Sequence, residues 1–308
     1  MDFVIFIVAM GALIYGADFI IRDSERIALH FNIPHFVIGA TLIGLGTSLP
    51  EMAASMMASS DGKSEMAIAN VIGSVTFNIT LVLGLVFLIA TNMTPKRDLF
   101  RLDSAWIIMP PLMFILMTLD GEISRFDGLL FLLMMAAYLF FLFTESSDEF
   151  EIDEELEKEK FNWMKSVLML GTGFVLTVVG ANYVVESGSN IARMFEVSEW
   201  IIGLFLIALG TSLPELVVSL VAIKKGNADM SVGNIIGSNV ANFSMVLGGA
   251  SMINPLSMTG ASSFDIYIMI AASIALFLIL ANKLYNKAGA IFLLMILSLF
   301  IHNAVIAA

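Results

Sequence analysis

An all-α membrane protein of ten transmembrane helices, arranged as two inverted five-helix repeats, is the fold this sequence predicts. Three observations carry the prediction. The chain of 308 residues is 58% hydrophobic and 14% charged, with a mean hydropathy of +0.92, whereas soluble globular chains carry about 25% charged residues. Apolar stretches long enough to cross a bilayer alternate with short polar breaks. One long segment also occurs twice, ungapped, at a constant offset of 164 residues.

The spans fall at 2–21, 35–59, 65–91, 103–119, 126–143, 163–185, 198–222, 228–253, 264–281 and 288–305. The opening MDFVIFIVAM lacks a basic n-region and a small-residue cleavage site, so it reads as the first span and not as a removed signal. The second, third, seventh and eighth spans are richest in Gly, Ser, Thr and Asn, which permits close helix packing around a polar interior. Residues 1–143 form the first repeat and 163–308 the second. The linker 144–162 contains ESSDEFEIDEELEKE and reads as a solvated charge run without an EF-hand pattern.

Gly39–Gly84 aligns with Gly203–Gly248. Thr47, Ser48, Pro50 and Glu51 fall on Thr211, Ser212, Pro214 and Glu215, within two copies of GTSLPE. Ser55, Asn70, Gly73, Ser74 and Asn78 fall on Ser219, Asn234, Gly237, Ser238 and Asn242. An odd number of spans per repeat inverts the second half, the plan of secondary transporters with a site at the repeat interface near the midplane.

Basic residues set the orientation. Arg22, Arg26, Lys96, Arg97, Arg101, Lys158, Lys160, Lys165, Lys224, Lys225, Lys283 and Lys287 follow odd-numbered spans, against Lys63, Arg125 and Arg193 after even-numbered ones. The odd loops and the acidic linker are therefore cytoplasmic, and both termini lie outside.

A carboxylate within a span costs about 3 to more than 10 kcal/mol unless a partner offsets it. On a helix Thr47, Ser48 and Glu51 share one face. Pro50 lacks an amide hydrogen and frees a carbonyl near Gly46, and Gly44 favours local unwinding. Carbonyl, hydroxyl and carboxylate oxygens thus gather in one segment, and all-oxygen ligation suits hard cations such as calcium and sodium. The second copy repeats the set, with Ala208 at the position of Gly44. Ser74 with Asn78, and Ser238 with Asn242, each offer a hydroxyl and an amide one turn apart. Two carboxylates are neutralised by one calcium or by two sodium ions, which makes the ions competitors and an alternating-access carrier an exchanger.

With ANVIGSVTFN in the first half and GNIIGSNVAN in the second, the paired GTSLPE segments resemble the alpha-repeats of the cation/calcium exchanger superfamily. Across essentially the whole chain the resemblance is closest to the compact prokaryotic sodium/calcium exchangers. It implies calcium held by Glu51, Glu215 and the carbonyls of Thr47 and Thr211. One sodium site would use Glu51, Ser74, Ser212 and the Ala208 carbonyl, the other Glu215, Ser238, Ser48 and the Gly44 carbonyl, with Asn78 and Asn242 lining the middle. Ala69 departs from the family's usual Gly, which Gly233 keeps. Potassium-dependent relatives carry Asp where this chain has Asn242, so the resemblance implies potassium-independent, electrogenic exchange in a prokaryotic plasma (inner) membrane. A calcium/proton antiporter, whose motif is of the GNxxE type, and a calcium-permeable channel are the rival readings.

Other chemistry is thinly represented. No cysteine is present, His30, His35 and His302 do not cluster, and no phosphate-binding glycine loop with a Lys occurs. No constellation supports an enzyme, a resident cofactor or nucleic-acid binding. The expected partners are calcium and sodium ions and the lipid bilayer, and an internal repeat makes a monomer sufficient. Asp18 and Arg22 are spaced as a helical pair, Asp103, Asp127 and Asp265 are placed at helix starts, and Glu186 is expected near a helix end at the interface.

Overall fold

The structure, a computed structural model, describes residues 1–90, 93–145, 161–196, 210–259 and 262–306. The first half comprises α1 (Asp2–Phe31), α2 (His35–Ile38), α3 (Gly44–Thr47), α4 (Leu49–Ser60), α5 (Ser64–Phe77), α6 (Leu83–Ile89), α7 (Leu99–Met117), the short strand β1 (Glu122–Ile123) and α8 (Arg125–Glu145). The second comprises α9 (Trp163–Met194), α10 (Leu213–Lys224), α11 (Ala228–Ala241), α12 (Gly248–Ile253), β2 (Leu256–Ser257), α13 (Ser263–Ala281) and α14 (Lys287–Ile306). π-Helical turns at Gly39–Ile43, Asn78–Val82 and Asn242–Leu247 join α2 to α3, α5 to α6 and α11 to α12.

Among the described residues seven helices are long and apolar enough to cross a membrane, or eight when the bent pair 35–47 and 49–60 counts as one span. The protein is a multi-pass helical membrane protein. Residues 228–253 form a further helical run that is less apolar, because Asn234, Ser238 and Asn242 lie on its buried side. The first half of the expected seventh span, most of the acidic linker and Ala208 lie outside the described residues.

The repeat recurs in the backbone. Ser48 breaks the second span with φ −84° and ψ 2°, and Ser212 adopts −88° and 1°. Gly62 and Gly226 both take the left-handed turn, at φ 72° and 83°, a conformation that favours glycine. The side-chain amide of Asn70 donates to the Glu51 carbonyl (3.2 Å) and the Ser55 hydroxyl (2.8 Å). Asn234 does the same to Glu215 (3.4 Å) and Ser219 (2.9 Å). The long helices α1 and α9 lie directly against one another, and a Cβ at Gly16 would come within 2.7 Å of the Gly173 carbonyl.

Polar ties gather at two ends of the bundle. At one end Lys225 pairs with Asp18 at 2.6 Å, Asn227 donates to Glu25 at 3.2 Å, Asp229 accepts from the Lys96 and Arg97 amides at 3.0 and 3.1 Å, and Met93 N–H meets the Tyr285 carbonyl at 3.2 Å. At the other end Asn190 donates to Asp2 at 3.1 Å, Asn254 to the Ser59 carbonyl at 2.8 Å and Arg125 to the Ile253 carbonyl at 2.9 Å, while β1 pairs antiparallel with β2.

Several expectations are corrected. The first and sixth helices run to Phe31 and Met194, beyond 21 and 185, because their polar ends are held by these ties and need not stop at the apolar boundary. Asp18 pairs with Lys225 and not with Arg22, which lies 3.4 Å from Asp23. Asp103 is near a helix start, in the second turn of α7, which begins at Leu99 and is capped by Asp98, but it does not serve that end. Asp103 is instead fully buried and bonded to the Arg97 guanidinium at 2.7 and 3.2 Å, with that guanidinium 4.5 Å from the centre of the Phe36 ring. Glu186 sits more than two turns inside α9 and not at its end.

Candidate ion-binding site

The two GTSLPE segments are where the spans break. Pro50 and Pro214 enter the first turns of α4 and α10, where a missing amide hydrogen leaves no bond unmade. The axis bends by 44° between residues 35–47 and 49–60. Each break creates a helix N-terminus inside the bundle, and Glu51 and Glu215 stand in those first turns, where the amide dipoles favour a negative charge. Both are buried.

Gly44, Thr47, Ser48, Ser74, Asn78, Ser212, Ser238 and Asn242 are all buried as well. The Ser48 hydroxyl donates to Glu215 Oε1 at 3.4 Å, and Ser238 donates to the Gly44 carbonyl at 3.1 Å. Thr47 Oγ1 lies 3.3 Å from the Gly44 carbonyl, 3.3 Å from Asn234 Oδ1 and 3.4 Å from Ser238 Oγ. Asn242 donates to the Ser238 carbonyl at 2.9 Å. The helix break alters the expected shared face: Thr47 and Ser48 reach across to the second half and not along their own helix to Glu51.

Among the described residues nine buried side-chain oxygens have no hydrogen-bond partner, and six of them belong to the expected ligands: Glu51 Oε2, Ser74 Oγ, Asn78 Oδ1, Ser212 Oγ, Glu215 Oε2 and Asn242 Oδ1. One such group costs about 1–3 kcal/mol, and more when charged. Their concentration on these residues fits a site whose remaining partner is a cation, since every one can accept a positive charge.

Thr211 is placed differently from Thr47. It is partly exposed and lines a cleft of about 360 Å³ with Pro50, Pro214 and the α9 residues Asn182, Glu186 and Arg193. Asn70, Asn234 and Asn239 belong to the surroundings of the site although they were not among the expected ligands. The first two were signalled by the repeat register. Asn239, which accepts from the Asn78 amide at 3.2 Å, faces Val75 in that register and so gave no repeat signal.

Broken helices that present facing carboxylates and an all-oxygen lining within a repeated membrane bundle define a cation-handling membrane protein. The chain belongs to the family described as sodium/calcium exchanger protein, whose profile matches residues 1–144 and 165–306. It is 36% identical to an uncharacterized membrane protein of Methanocaldococcus jannaschii over 92% of this chain and 90% of that one. It is 28% identical to the sodium/calcium exchanger MaX1 of Methanosarcina acetivorans, over 91% of each. Its fold is similar to that of the sodium-calcium exchanger NCX_Mj soaked with zero Na+ and Ca2+, with TM-score 0.81, 32% identity and 98% of both chains covered.

Proposed function

We propose that this protein is a potassium-independent sodium/calcium antiporter that works by alternating access and moves net charge, with more sodium charge than calcium charge per cycle. The observation that carries the reading is the group of six unpartnered oxygens on the two repeat-related glutamate segments and on the runs 64–82 and 228–247 that follow them. Calcium takes Glu51 and Glu215 with the Thr47 and Thr211 carbonyls. Sodium takes Glu51, Ser74, Ser212 and the Ala208 carbonyl, or Glu215, Ser238, Ser48 and the Gly44 carbonyl. Asn78 and Asn242 line the centre. Because both ions use the same carboxylates, one leaves before the other binds, and the protein exchanges them.

The topology proposed is ten spans in two inverted repeats, 1–143 and 163–308, joined by a cytoplasmic linker at 144–162, in the plasma membrane of a prokaryote with both termini outside. The sorting of polar ties supports it. The ends that meet through Asp18, Glu25, Met93, Asp229 and Tyr285 are those following or preceding odd-numbered loops, and those that meet through Asp2, Ser59, Gly121, Asn190 and Ile253 belong to the even-numbered side. The internal repeat puts both glutamate segments on one chain, which supports a functional monomer.

The test is calcium uptake into sodium-loaded proteoliposomes diluted into sodium-free buffer, with potassium and pH gradients varied separately. Uptake is expected to require internal sodium, ignore potassium and respond to membrane potential. Uptake driven by a pH gradient without sodium would make protons the counter-ion, and flux with no counter-ion requirement would make the protein a channel.

A further inference from the structure

We propose that Asn182 and Glu186, one turn apart on α9, form a vestibular cation site, the first station on the path from the extracellular side to the central glutamates. The proposal rests on the exchange reading above and adds a site to it. Pro50 and Pro214, on the opposite wall of the cleft that these side chains line, are the residues immediately before Glu51 and Glu215. Thr211, whose carbonyl is the proposed calcium ligand, lines the same wall. The cleft thus borders both broken segments at the residue that precedes each central carboxylate.

The cleft holds room for several waters and is polar along one stripe of α9, where Asn182, Glu186, Ser189 and Arg193 recur at helical spacing, against the apolar Val178, Ala181 and Val185. Glu186 is its carboxylate and is exposed. A charge in a narrow cleft with low-dielectric walls focuses the field and raises the local concentration of counter-ions. Arg193 lies farther along the stripe, one turn from Asn190, to whose Oδ1 it donates at 3.0 Å. Glu186 lies two turns from Arg193 toward the middle of α9.

The other half of the repeat carries a stand-in for that cation. Asn182, Glu186 and Ser189 correspond, at the 164-residue offset, to Asp18, Arg22 and Glu25 on α1. There the ammonium of Lys225 sits 2.6 Å from Asp18 Oδ1 and 3.4 Å from the Asp18 carbonyl. A cationic head thus rests against this level of the α1 stripe, beside the end of α10. The counterpart of Lys225 is Asp61, which pairs with Lys63 at 3.3 Å, so that position brings no cationic side chain to the α9 stripe. A diffusible cation takes on α9 the place that Lys225 takes on α1.

The experiment compares initial rates of sodium-driven calcium uptake in proteoliposomes of wild type, Glu186→Gln, Glu186→Asp and Glu186→Lys, as a function of bath calcium at low and high ionic strength. At low ionic strength kcat/KM for calcium should fall about threefold in Glu186→Gln and about tenfold in Glu186→Lys, with kcat unchanged, and stay near wild type in Glu186→Asp. At about 0.5 M ionic strength, where the screening length is only a few ångströms, the differences should shrink below about twofold. A wild-type kcat/KM in Glu186→Lys, or a loss of the same size at both ionic strengths and in Glu186→Asp, would overturn the vestibular site and leave the central-site reading standing. Absence of sodium-driven uptake by the wild type would instead remove the reading on which the site rests.

Discussion

The two halves of this protein carry nearly the same site sequence and hold it in different hydrogen-bonding states. The set built on Glu215 is stitched together: Ser48 donates to the carboxylate, Ser238 donates to the Gly44 carbonyl, and Thr47 bridges toward both. The set built on Glu51 has fewer ties: neither Ser74 Oγ nor Ser212 Oγ has a partner, and Glu51 Oε2, like Glu215 Oε2, has none. The helices that flank the site differ in the same way. The polar stripe of α1 is tied to Lys225 and Asn227, whereas its counterpart on α9 faces a cleft. The expected ligand side chains match across the repeat apart from Ala208 at the place of Gly44, so the difference at the glutamates lies in the conformation, whereas the stripes of α1 and α9 differ also in sequence, with Asp18, Arg22 and Glu25 against Asn182, Glu186 and Ser189. A repeated sequence caught in two states is what a carrier needs if one side is to be closed while the other is open.

The strongest way to break the comparison is to remove a carboxylate from either half. Glu51→Gln and Glu215→Gln should each lower sodium-driven calcium uptake more than about 100-fold, since a lost charge-assisted ligand in a buried site costs several kcal/mol. Both variants should remain folded and monodisperse, because the neutral amide keeps the shape. Wild-type-like exchange in both would remove these residues from the transport site.

A substitution between the halves comes next. Asn242 and Asn78 each leave a carbonyl oxygen unpartnered at the centre, and neither can carry charge or a proton. Asn242→Asp adds both abilities, so exchange should acquire a dependence on potassium or on pH, with calcium kcat/KM changed about tenfold by one extra charge near the ion. Unchanged responses to sodium, potassium and pH in this variant would show that position 242 does not choose the ions.

Much of this was legible in the sequence because the informative features repeat. Glutamates inside apolar segments, followed at fixed spacing by Ser and Asn, named the oxygens that the structure gathers. The Pro after each Thr-Ser-Leu located the helix breaks. The legible part ended where partners come from different elements without a repeat. Ser48 on Glu215 and Thr47 on Ser238 depend on how two broken helices cross, which spacing along one helix does not report. The buried Arg97–Asp103 pair joins a loop to a helix interior, although its residues had read as surface basic charge and a helix start. Glu186 read as interfacial because the apolar stretch seemed to stop at 185, and only the packing of α9 against the GTSLPE wall brings it into the cleft.

The serines sharpen the comparison further. Ser48→Ala removes a donor from a buried carboxylate, and Ser238→Ala removes one from the Gly44 carbonyl, so each should lower stability without ions by about 1–3 kcal/mol. Ser74→Ala and Ser212→Ala delete oxygens that bond to nothing, and without ions should be neutral or stabilising. All four should raise the sodium concentration needed for half-maximal exchange. Thermal unfolding with and without sodium separates the two classes; equal ion-free melting temperatures across the four variants would show that the halves are energetically alike.

The smallest effect tests the ends. Lys225 closes the α1 stripe through a half-exposed ion pair with Asp18, whereas Lys63, near the corresponding end of the first half, pairs only with Asp61 in the exposed turn. Such pairs contribute about 0.2–1 kcal/mol. Lys225→Ala should therefore raise the population open at that end by about 1.5- to 5-fold, and Lys63→Ala should change it little. The chain has no cysteine, so single cysteines introduced on the two sides, at Thr177 for the core of the α1–α9 contact and at Ser189 for the cleft, report accessibility to a water-soluble thiol reagent without a background. Both positions are buried here, and faster modification of Thr177→Cys with slower modification of Ser189→Cys, seen with Lys225→Ala and absent with Lys63→Ala, is the expected result. Equal rates in both backgrounds would mean that the ion pair decorates the closed end and does not hold it.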